Sequence, residues 1–359
     1  MKAVVYYTKG LADEALAEVM ELADDLQVVE RSDRFAVLAI EDADLTSIRT
    51  HARIVDDVRI LVGGPTRLAD LHDLAELCKE AAPRTVSVAD ADGRGDSGSW
   101  SVTVSARNPA WRRGDVWNPA EVIAEQLHGA DVAGTRRQRV DLRLQVDEDH
   151  AHLAVSLASP DKRHRDVPQR PGALRPTVAA AMIRIATEGL SATTTRLGIY
   201  DPFCGSGTIV AEAAVAGFPV YGSDIDGKAV QMTRQRLAGM ARIRLTTVVD
   251  TDRLSHQVFE HDVANGFPAR VNARVLVGNM PWGKQVKVGR HQELFDAVAA
   301  LVAHVLGKGG AAALLTTNED RLIARMRRRV KGAAVSTRRL GLLGQTPAIV
   351  TIRPARGEP

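Results

Sequence analysis

Cysteine and aromatic residues are scarce in this sequence. The chain of 359 residues contains two cysteines, and phenylalanine, tryptophan and tyrosine together account for 4%. Two cysteines, Cys78 and Cys204, cannot build a framework of several disulfides. None of the ten histidines falls into metal-ligand spacing with them. We therefore predict neither a disulfide-rich fold nor a bound metal.

Long apolar runs are also missing. No run approaches the ~18 residues of a membrane span, and the first apolar stretch, residues 1–7, is too short for a secretory core region. The hydrophobic share of 45% still allows substantial burial, and the length suggests two or three domains. These features predict a cytoplasmic protein without a membrane partner.

The second half of the chain is organised around residues 201–208, which read DPFCGSGT. The apolar residues before this stretch predict a buried strand, and residues 209–216 predict a helix after it. Gly205 and Gly207 allow a ligand to approach the backbone where helix N–H groups point outward, and Thr208 is placed to cap the helix. On its own, such a turn could merely connect a strand to a helix.

A second predicted strand, residues 219–222, adds weight to a ligand site. It ends in Asp224, about 20 residues past the glycines, where a doubly wound fold places the carboxylate that binds ribose hydroxyls. A nicotinamide cofactor would use the same carboxylate, but its G-x-G-x-x-G pattern requires a third glycine. Val210 stands at that position.

A third predicted strand, residues 273–278, ends at the tetrad Asn279-Met280-Pro281-Trp282. The segment from about residue 171 to residue 318 resembles the S-adenosylmethionine-dependent methyltransferases that modify exocyclic amino groups of bases. In that family a turn like DPFCGSGT precedes an Asp/Asn-Pro-Pro-aromatic tetrad. The resemblance implies a Rossmann-like α/β fold with a seven-stranded, mostly parallel sheet.

The same resemblance implies S-adenosyl-L-methionine as the cofactor. It places the cofactor against the glycine turn, the acidic strand end, the strand end at residues 261–263 and the segment before a helix at residues 177–186. The residues expected to bind it are Leu174, Thr177, Asp201, Phe203, Cys204, Gly205, Ser206, Gly207, Thr208, Asp224, Ile225, Asp262, Val263 and Asn279. Asp262 could instead cap a turn, and the segment around Leu174 could be a plain linker. Cys204 is expected to pack and not to act as a nucleophile.

The tetrad suits attack by an aromatic amine, whose lone pair is delocalised into the ring. The Asn279 side-chain oxygen and the Met280 backbone carbonyl can accept its two N–H protons, and Trp282 can stack the extruded base. The family pattern has proline where Met280 stands, so the rigidity that a proline ring gives to the backbone is absent here. The mechanism expected is direct in-line methyl transfer without a covalent enzyme intermediate.

Basic residues are clustered, although the formal net charge is only +3. Each cluster could be a solvated face, but three of them within residues 111–165 favour phosphate contacts. A further basic loop follows the tetrad, and another basic run covers residues 325–331. The residues predicted to bind RNA are Arg112, Arg113, Arg136, Arg137, Arg139, Lys284 and Arg290.

Residues 64–165 resemble a THUMP domain. Strands are predicted at residues 100–106, 140–146 and 152–157, with a basic turn and a helix at residues 119–127 between the first two. Earlier in this segment, residues 68–81 predict a helix and residues 85–88 a strand. THUMP domains belong to RNA-modifying enzymes, so the resemblance implies an RNA partner, most often tRNA.

Four segments are predicted: a ferredoxin-like α+β domain at 1–63, the THUMP domain at 64–165, a linker at 166–176 and the methyltransferase domain at 177–359. The combination resembles the THUMP-containing guanosine-N2 methyltransferases. It predicts methyl transfer to the exocyclic 2-amino group of guanosine in tRNA. Three alternatives stay open: a ribosomal-RNA guanosine-N2 methyltransferase, a DNA amino-methyltransferase, and a catalytically silent RNA-binding scaffold.

Overall fold

The computed structural model describes residues 1–91, 100–107, 140–147, 150–156, 172–190, 198–240, 257–281, 291–342 and 344–355. The chain divides into two compact units. The first consists of Met1–Tyr7 and Glu18–Asp161, and the second of Thr8–Ala17 and Lys162–Pro359. Within the described residues, no helix is both long and apolar enough to cross a membrane.

The first part of the chain alternates strands and helices around one sheet. In chain order the elements are β1 (Lys2–Tyr6), α1 (Ala12–Glu21), β2 (Leu26–Arg31), β3 (Phe35–Ile40), α2 (Asp42–His51), β4 (Asp57–Arg67), α3 (Leu71–Ala91), β5 (Trp100–Arg107), β6 (Val140–Asp147) and β7 (His150–Ser156). The seven strands lie in the order β2-β3-β1-β4-β7-β6-β5. Strands β5 and β6 pair in parallel, and the other neighbours are antiparallel.

The prediction of a strand at residues 85–88 is wrong, because these residues continue α3. Thr85 is buried, and its hydroxyl donates to the Ala81 carbonyl one turn earlier at 2.8 Å. The buried residues Leu74, Leu77, Cys78 and Ala81 recur at helical spacing and pack on β4 and β7. This packing outweighs the strand preference of the valines and threonine in the segment.

Strand β4 was not predicted, and it runs across the predicted boundary between residues 63 and 64. It pairs with β1 on one side and with β7 on the other. Residues 1–67 and 100–156 therefore contribute to a single sheet. The predicted helix at 119–127 and most of the predicted linker lie outside the described residues.

The second unit contains a second seven-stranded sheet. Its elements are α4 (Pro176–Thr187), β8 (Gly198–Asp201), α5 (Thr208–Val215), β9 (Val220–Asp224), α6 (Gly227–Met240), β10 (Val258–Glu260), a 3-10 turn (Val263–Asn265), β11 (Ala273–Asn279), α7 (His291–Gly307), β12 (Ala311–Thr316), α8 (Glu319–Arg329), β13 (Ala334–Arg339) and β14 (Ala348–Arg353). The strand order is β10-β9-β8-β11-β12-β14-β13.

This sheet is mostly parallel, as the sequence predicts. Strands β10, β9, β8, β11 and β12 are parallel, and β14 is antiparallel to both of its neighbours. Helices α4 and α7 both pack on β11 and β12. Strand β12 is buried along its whole length, which explains its uninterrupted apolar sequence. The fold is a methyltransferase-like α/β fold.

Candidate active site

The carboxyl ends of four parallel strands surround one cavity in the second unit. From β8 the chain steps outward to β9 and β10, then returns to the other side of β8 with β11. Such a reversal creates a crevice outside the carboxyl ends of the strands, where open α/β sheets bind ligands. The cavity has a volume of about 670 Å³, well within the range of small-molecule sites.

Most predicted cofactor residues line this cavity. Those found in its wall are Leu174, Asp201, Phe203, Cys204, Gly205, Ser206, Thr208, Asp224, Ile225, Asp262, Val263 and Asn279, together with Pro281 of the tetrad. Thr177 and Gly207 lie close by in the sequence but not in the wall. Thr177 is buried in the first turn of α4.

The glycine turn connects β8 to α5 through backbone that few other residues adopt. Gly205 and Gly207 have φ angles of 53° and 81°, in the left-handed region. A Cβ on Gly207 would lie 2.8 Å from Cγ2 of Thr233, so this glycine also lets α6 approach the turn. The prediction that Thr208 caps α5 is wrong. Gly207 occupies the cap position, and Thr208 is the first helical residue, whose hydroxyl accepts from Nη1 of Arg236 at 3.1 Å.

Asp224 ties the end of β9 to this turn. Its Oδ2 accepts from the Gly205 N–H at 2.9 Å, and its Oδ1 accepts from the Asp226 N–H at 3.0 Å. Each carboxylate oxygen has a second lone pair, so both can still accept from hydroxyl groups. The neighbouring Ile225 lines the cavity with 61% of its surface exposed. An apolar ligand group lying on Ile225 would remove that surface from water.

Asp201 and Cys204 are buried in the floor of the cavity. Asp201 is 2% exposed and accepts from the Phe203 N–H at 3.0 Å, and burial raises its pKa to about 8. Burial also raises the pKa of the Cys204 thiol, which accepts from the Thr233 hydroxyl at 3.6 Å. A thiol kept protonated in this way is a poor nucleophile, which supports the packing role predicted for Cys204.

Asp262 lies both at the start of a turn and in the cavity wall, the two placements that the sequence interpretation left open. It caps the 3-10 turn through a hydrogen bond from the Ala264 N–H to Oδ1 at 2.9 Å. It also lines the cavity beside Val263. The cap holds the carboxylate at the end of β10.

Asn279 is the last residue of β11 and opens onto the cavity. Its Nδ2 donates to the Gly172 carbonyl over 3.5 Å, a long hydrogen bond. This contact links the tetrad to the segment that precedes α4, where Leu174 also lines the cavity. The segment around Leu174 is thus part of the cavity wall.

Met280 is held by two contacts that a proline could not make together. Its side chain is 1% exposed and packs in the core of the second unit. Its N–H donates to the Leu315 carbonyl at 3.0 Å, which extends the pairing of β11 with β12 by one bond beyond Asn279. Proline has no N–H for this bond. The backbone at this position is therefore restrained by a hydrogen bond where the family pattern uses a ring.

Several wall residues were not predicted. His261 and Ala264 flank the predicted pair Asp262 and Val263 just after β10, and Glu293, Leu294 and Ala297 come from the first turns of α7. The three α7 residues lie in the helix that comes after the tetrad in the chain. Their spacing along that helix is the only feature of the sequence that could have placed them in the wall. Ala173 also lines the wall, in the segment before α4 that the resemblance places near the cofactor.

The remaining predicted site residues lie outside the described residues. These are Trp282, Lys284 and Arg290 after the tetrad, and Arg112, Arg113, Arg136, Arg137 and Arg139 in the first unit. In the part of the chain that the structure describes, no group of three or more His, Cys, Asp or Glu could hold a metal ion. The absence of a metal stays a prediction.

Comparison with known proteins identifies the family of the second unit. The family model described as "UPF0020: RMKL-like, methyltransferase domain" matches residues 163–345, just over half of the chain. A curated relative, the tRNA (guanine(6)-N2)-methyltransferase of Thermus thermophilus, is 31% identical over 206 residues. The match covers 54% of this chain and 55% of the relative. The chain thus spans about half the length of this relative.

Two solved structures share the fold over nearly the whole chain. TrmN from Thermus thermophilus superposes with a TM-score of 0.69 at 21% identity, over 98% of this chain and 99% of that one. The protein SMU.472, solved in complex with SAH, superposes with a TM-score of 0.65 at 16% identity, over 99% of each chain. At these identities the structures show the fold alone. Because the family model covers more than half of the sequence, the chain belongs to the UPF0020 family, the RMKL-like methyltransferase domain.

Proposed function

We propose that this protein transfers a methyl group from S-adenosyl-L-methionine to the exocyclic 2-amino group of guanosine in tRNA, in the cytoplasm. The observation that carries the proposal is that Asn279, the first residue of the tetrad, opens onto the same cavity as the glycine turn. A donor bound against the turn and an amine held by the tetrad would share one chamber. The curated relative acts on the N2 atom of a tRNA guanine, according to its name.

The cavity wall suits S-adenosyl-L-methionine in its chemistry. Asp224 offers acceptors for ribose hydroxyls, and Ile225 and Val263 offer apolar surface for the adenine ring. Asp201 is a carboxyl group in the floor, where a cationic part of the ligand would favour its ionised form. When bound, S-adenosyl-L-methionine supplies an electrophilic methyl group on a sulfonium.

The tetrad would orient the amine. The Asn279 side-chain oxygen and the Met280 carbonyl are two acceptors at the end of a rigid strand, and a guanine 2-amino group has two N–H donors. Holding both donors directs the nitrogen lone pair out of the ring plane and lowers the entropic cost of reaction. The Met280 N–H bond to Leu315 keeps one acceptor in place, which argues against a catalytically silent scaffold.

RNA binding would extend beyond the catalytic unit. We propose that residues 64–165 act as a THUMP module after a ferredoxin-like segment at 1–63, and that residues 177–359 form the catalytic domain. The element order β1-α1-β2-β3-α2-β4 supports the ferredoxin-like assignment. The observed strands β5, β6 and β7, at the predicted places, support the THUMP assignment. Arg112, Arg113, Arg136, Arg137, Arg139, Lys284 and Arg290 are proposed to contact phosphates, and Trp282 to stack the target base.

The test is incorporation of labelled methyl from S-adenosyl-L-methionine into tRNA that lacks the modification, followed by nucleoside mass analysis. The expected product is N2-methylguanosine, with little label in ribosomal RNA or duplex DNA of equal mass. Label mainly in ribosomal RNA or in DNA would replace the proposed substrate with that nucleic acid. Binding of cofactor and tRNA without any transfer would favour the scaffold.

Asn279→Ala should abolish transfer while the cofactor still binds. Removing a single group that orients or stabilises the reacting atoms costs about 100-fold to 1,000-fold in kcat. The matched control is Asn279→Asp, which keeps a side-chain acceptor and matches the acidic form of the tetrad. Single-turnover transfer and calorimetric cofactor titration separate the two effects. Unchanged turnover in Asn279→Ala would refute the role of the tetrad.

A further inference from the structure

The carboxyl-terminal end of α8 carries an unusual concentration of exposed positive charge. We define the α8 basic end as Arg327, Arg328, Arg329 and Lys331, all of which are exposed. None of the four forms a salt bridge with another described residue. By contrast, the Arg325 guanidinium pairs with Asp296 at 3.2 Å.

Helix stability alone does not account for this charge. Cations in the last turn interact favourably with the carbonyl end of the helix, but the gain for each exposed side chain is small and is screened by salt. Four cations within five residues also repel one another. No acidic residue lies between Arg321 and Lys331 to offset that repulsion. A concentrated positive surface of this kind raises the local concentration of polyanions.

The topology places the α8 basic end far from the cavity opening. Strand β13 is parallel to β12, because both are antiparallel to β14. Helix α8 connects these parallel strands, so it starts at the carboxyl edge of the sheet and ends at the amino edge. Its 11 residues span about 16 Å. The cavity lies at the carboxyl edge, so the four cations cannot reach a base held by the tetrad.

We propose that the α8 basic end binds the phosphate backbone of the RNA substrate at a site remote from the methylated base. The proposal rests on the proposed function for the identity of the nucleic acid. Phosphate contacts position a nucleic acid without reading its sequence, and they release counterions. The α8 basic end should therefore set the affinity for RNA and its salt dependence, and it should leave the chemical step unchanged.

The experiment compares the full-length chain with two triple variants of Arg327, Arg328 and Arg329. One changes all three arginines to alanine, and the other changes them to lysine, which keeps the charge. Filter binding measures the Kd for tRNA between 50 and 300 mM salt, and steady-state kinetics measure KM and kcat. Thermal unfolding of each variant checks that the fold is intact.

The alanine triple variant should weaken tRNA binding by about 10-fold to 100-fold near 100 mM salt. Its slope of log K against log salt should fall by about two, since each lost phosphate contact removes about 0.7 to 0.9. KM for tRNA should rise while kcat and cofactor affinity stay within about twofold. The lysine triple variant should keep most of the affinity and the slope. If the alanine variant does not fold, the single variants Arg327→Glu and Lys331→Glu replace it, with weaker binding expected in each.

Unchanged Kd and slope in the alanine variant would overturn the proposal. Equal weakening in the lysine variant would also overturn it, because charge would then not be the cause. Stronger dependence on the arginines for duplex DNA than for tRNA would overturn the choice of RNA. The binding measurement does not require turnover, so a failure of methyl transfer with arginine-dependent tRNA binding would reject the proposed activity alone.

Discussion

Met280 shows how a single residue departs from a family pattern and still holds the same backbone. Its amide donates to Leu315 on the neighbouring strand at 3.0 Å, and its side chain fills part of the core. A proline ring would restrict φ from within the residue, whereas this bond restrains the backbone from outside. The two solutions are not interchangeable in this chain, because β12 presents a carbonyl that needs a donor.

Met280→Pro should therefore lower both stability and turnover. It leaves the Leu315 carbonyl unpaired, at a cost of about 1 to 3 kcal/mol in the free energy of unfolding, and it removes a well-packed side chain. We expect kcat to fall about 10-fold or more with little change in cofactor affinity. Met280→Leu is the control, since it keeps the amide and a similar volume and should cost less than about 1.5 kcal/mol. Urea unfolding and single-turnover kinetics make the comparison, and full activity in Met280→Pro would show that the bond is dispensable.

Asp201 gives the site a dependence on pH. Burial raises its pKa to about 8 from the ordinary value of 3.8. Between about pH 4 and pH 8, the folded protein therefore holds a proton on Asp201 that the unfolded chain has already released. The contribution of Asp201 to stability is complete below about pH 4 and is lost as the pH rises to about 8.

Cofactor affinity should change in the opposite direction. A cationic ligand favours ionised Asp201, so binding must displace the proton below pH 8. We expect the affinity for S-adenosyl-L-methionine to rise by up to about tenfold per pH unit between pH 6 and pH 8, and then to level off. Asp201→Asn should bind more weakly at pH 8 and lose this slope. Calorimetric titration at several pH values tests it, and an identical slope in both proteins would exclude Asp201 as the cause.

At the scale of elements, the turn between β8 and α5 depends on its contact with α6. Gly207 combines a left-handed φ of 81° with a Cβ position only 2.8 Å from Cγ2 of Thr233. The Thr233 hydroxyl has one proton to donate and two acceptors within reach, the Gly205 carbonyl at 2.9 Å and Cys204 Sγ at 3.6 Å. Helix α6 therefore fixes the shape of the turn against which the cofactor is proposed to bind.

Gly207→Ala should destabilise the fold by about 1 to 3 kcal/mol and weaken cofactor binding. The chain offers a matched control in Gly217, which has a φ of 82° and no atom within 4 Å of an added Cβ. Gly217→Ala should cost only the backbone term, about 1 to 2 kcal/mol, and leave cofactor binding intact. Adding Thr233→Ser to Gly207→Ala removes the clashing methyl group and should restore part of the loss. Equal effects of the two glycine variants on cofactor affinity would rule out the contact with Thr233.

For the whole molecule, the cavity is a feature of the second unit. The wall residues that the structure describes run from Gly172 to Ala297, and all of them belong to that unit. Ligand binding to the folded state alone stabilises that state by mass action, about 2.7 kcal/mol at a ligand concentration 100 times Kd.

Saturating S-adenosyl-L-methionine should therefore raise the thermal midpoint of the full chain. It should slow hydrogen exchange most at the glycine turn, at Asp224–Asp226 and at Val263–Ala264. Adenosine alone is the control, and it should protect the acidic strand end more than the segment around Leu174. An unchanged midpoint and exchange pattern at saturation would contradict the assignment of the cavity to the cofactor.

The amino-acid sequence alone was sufficient to predict the main buried strands of the catalytic unit and the site residues at their ends. The buried strands β8, β9, β11 and β12 are short apolar runs, and the glycines, Asp224 and Asn279 follow them directly in the chain. Local patterns of this kind are decided by neighbours within a few residues, so they can be read without the fold. The family resemblance that these motifs carry then implied the mostly parallel sheet and most of the cavity wall.

Only the tertiary structure decided the features that join distant residues. Residues 85–88 became helix because α3 packs on β4 and β7, and β4 joined β1 to β7 across a predicted boundary. The places of Glu293 and Leu294 in the cavity wall, the contact of Gly207 with Thr233 and the bond from Met280 to Leu315 are equally invisible in the sequence. Each depends on a partner many residues away in the sequence. Such contacts form, and stabilise the protein, only when folding brings the two residues together.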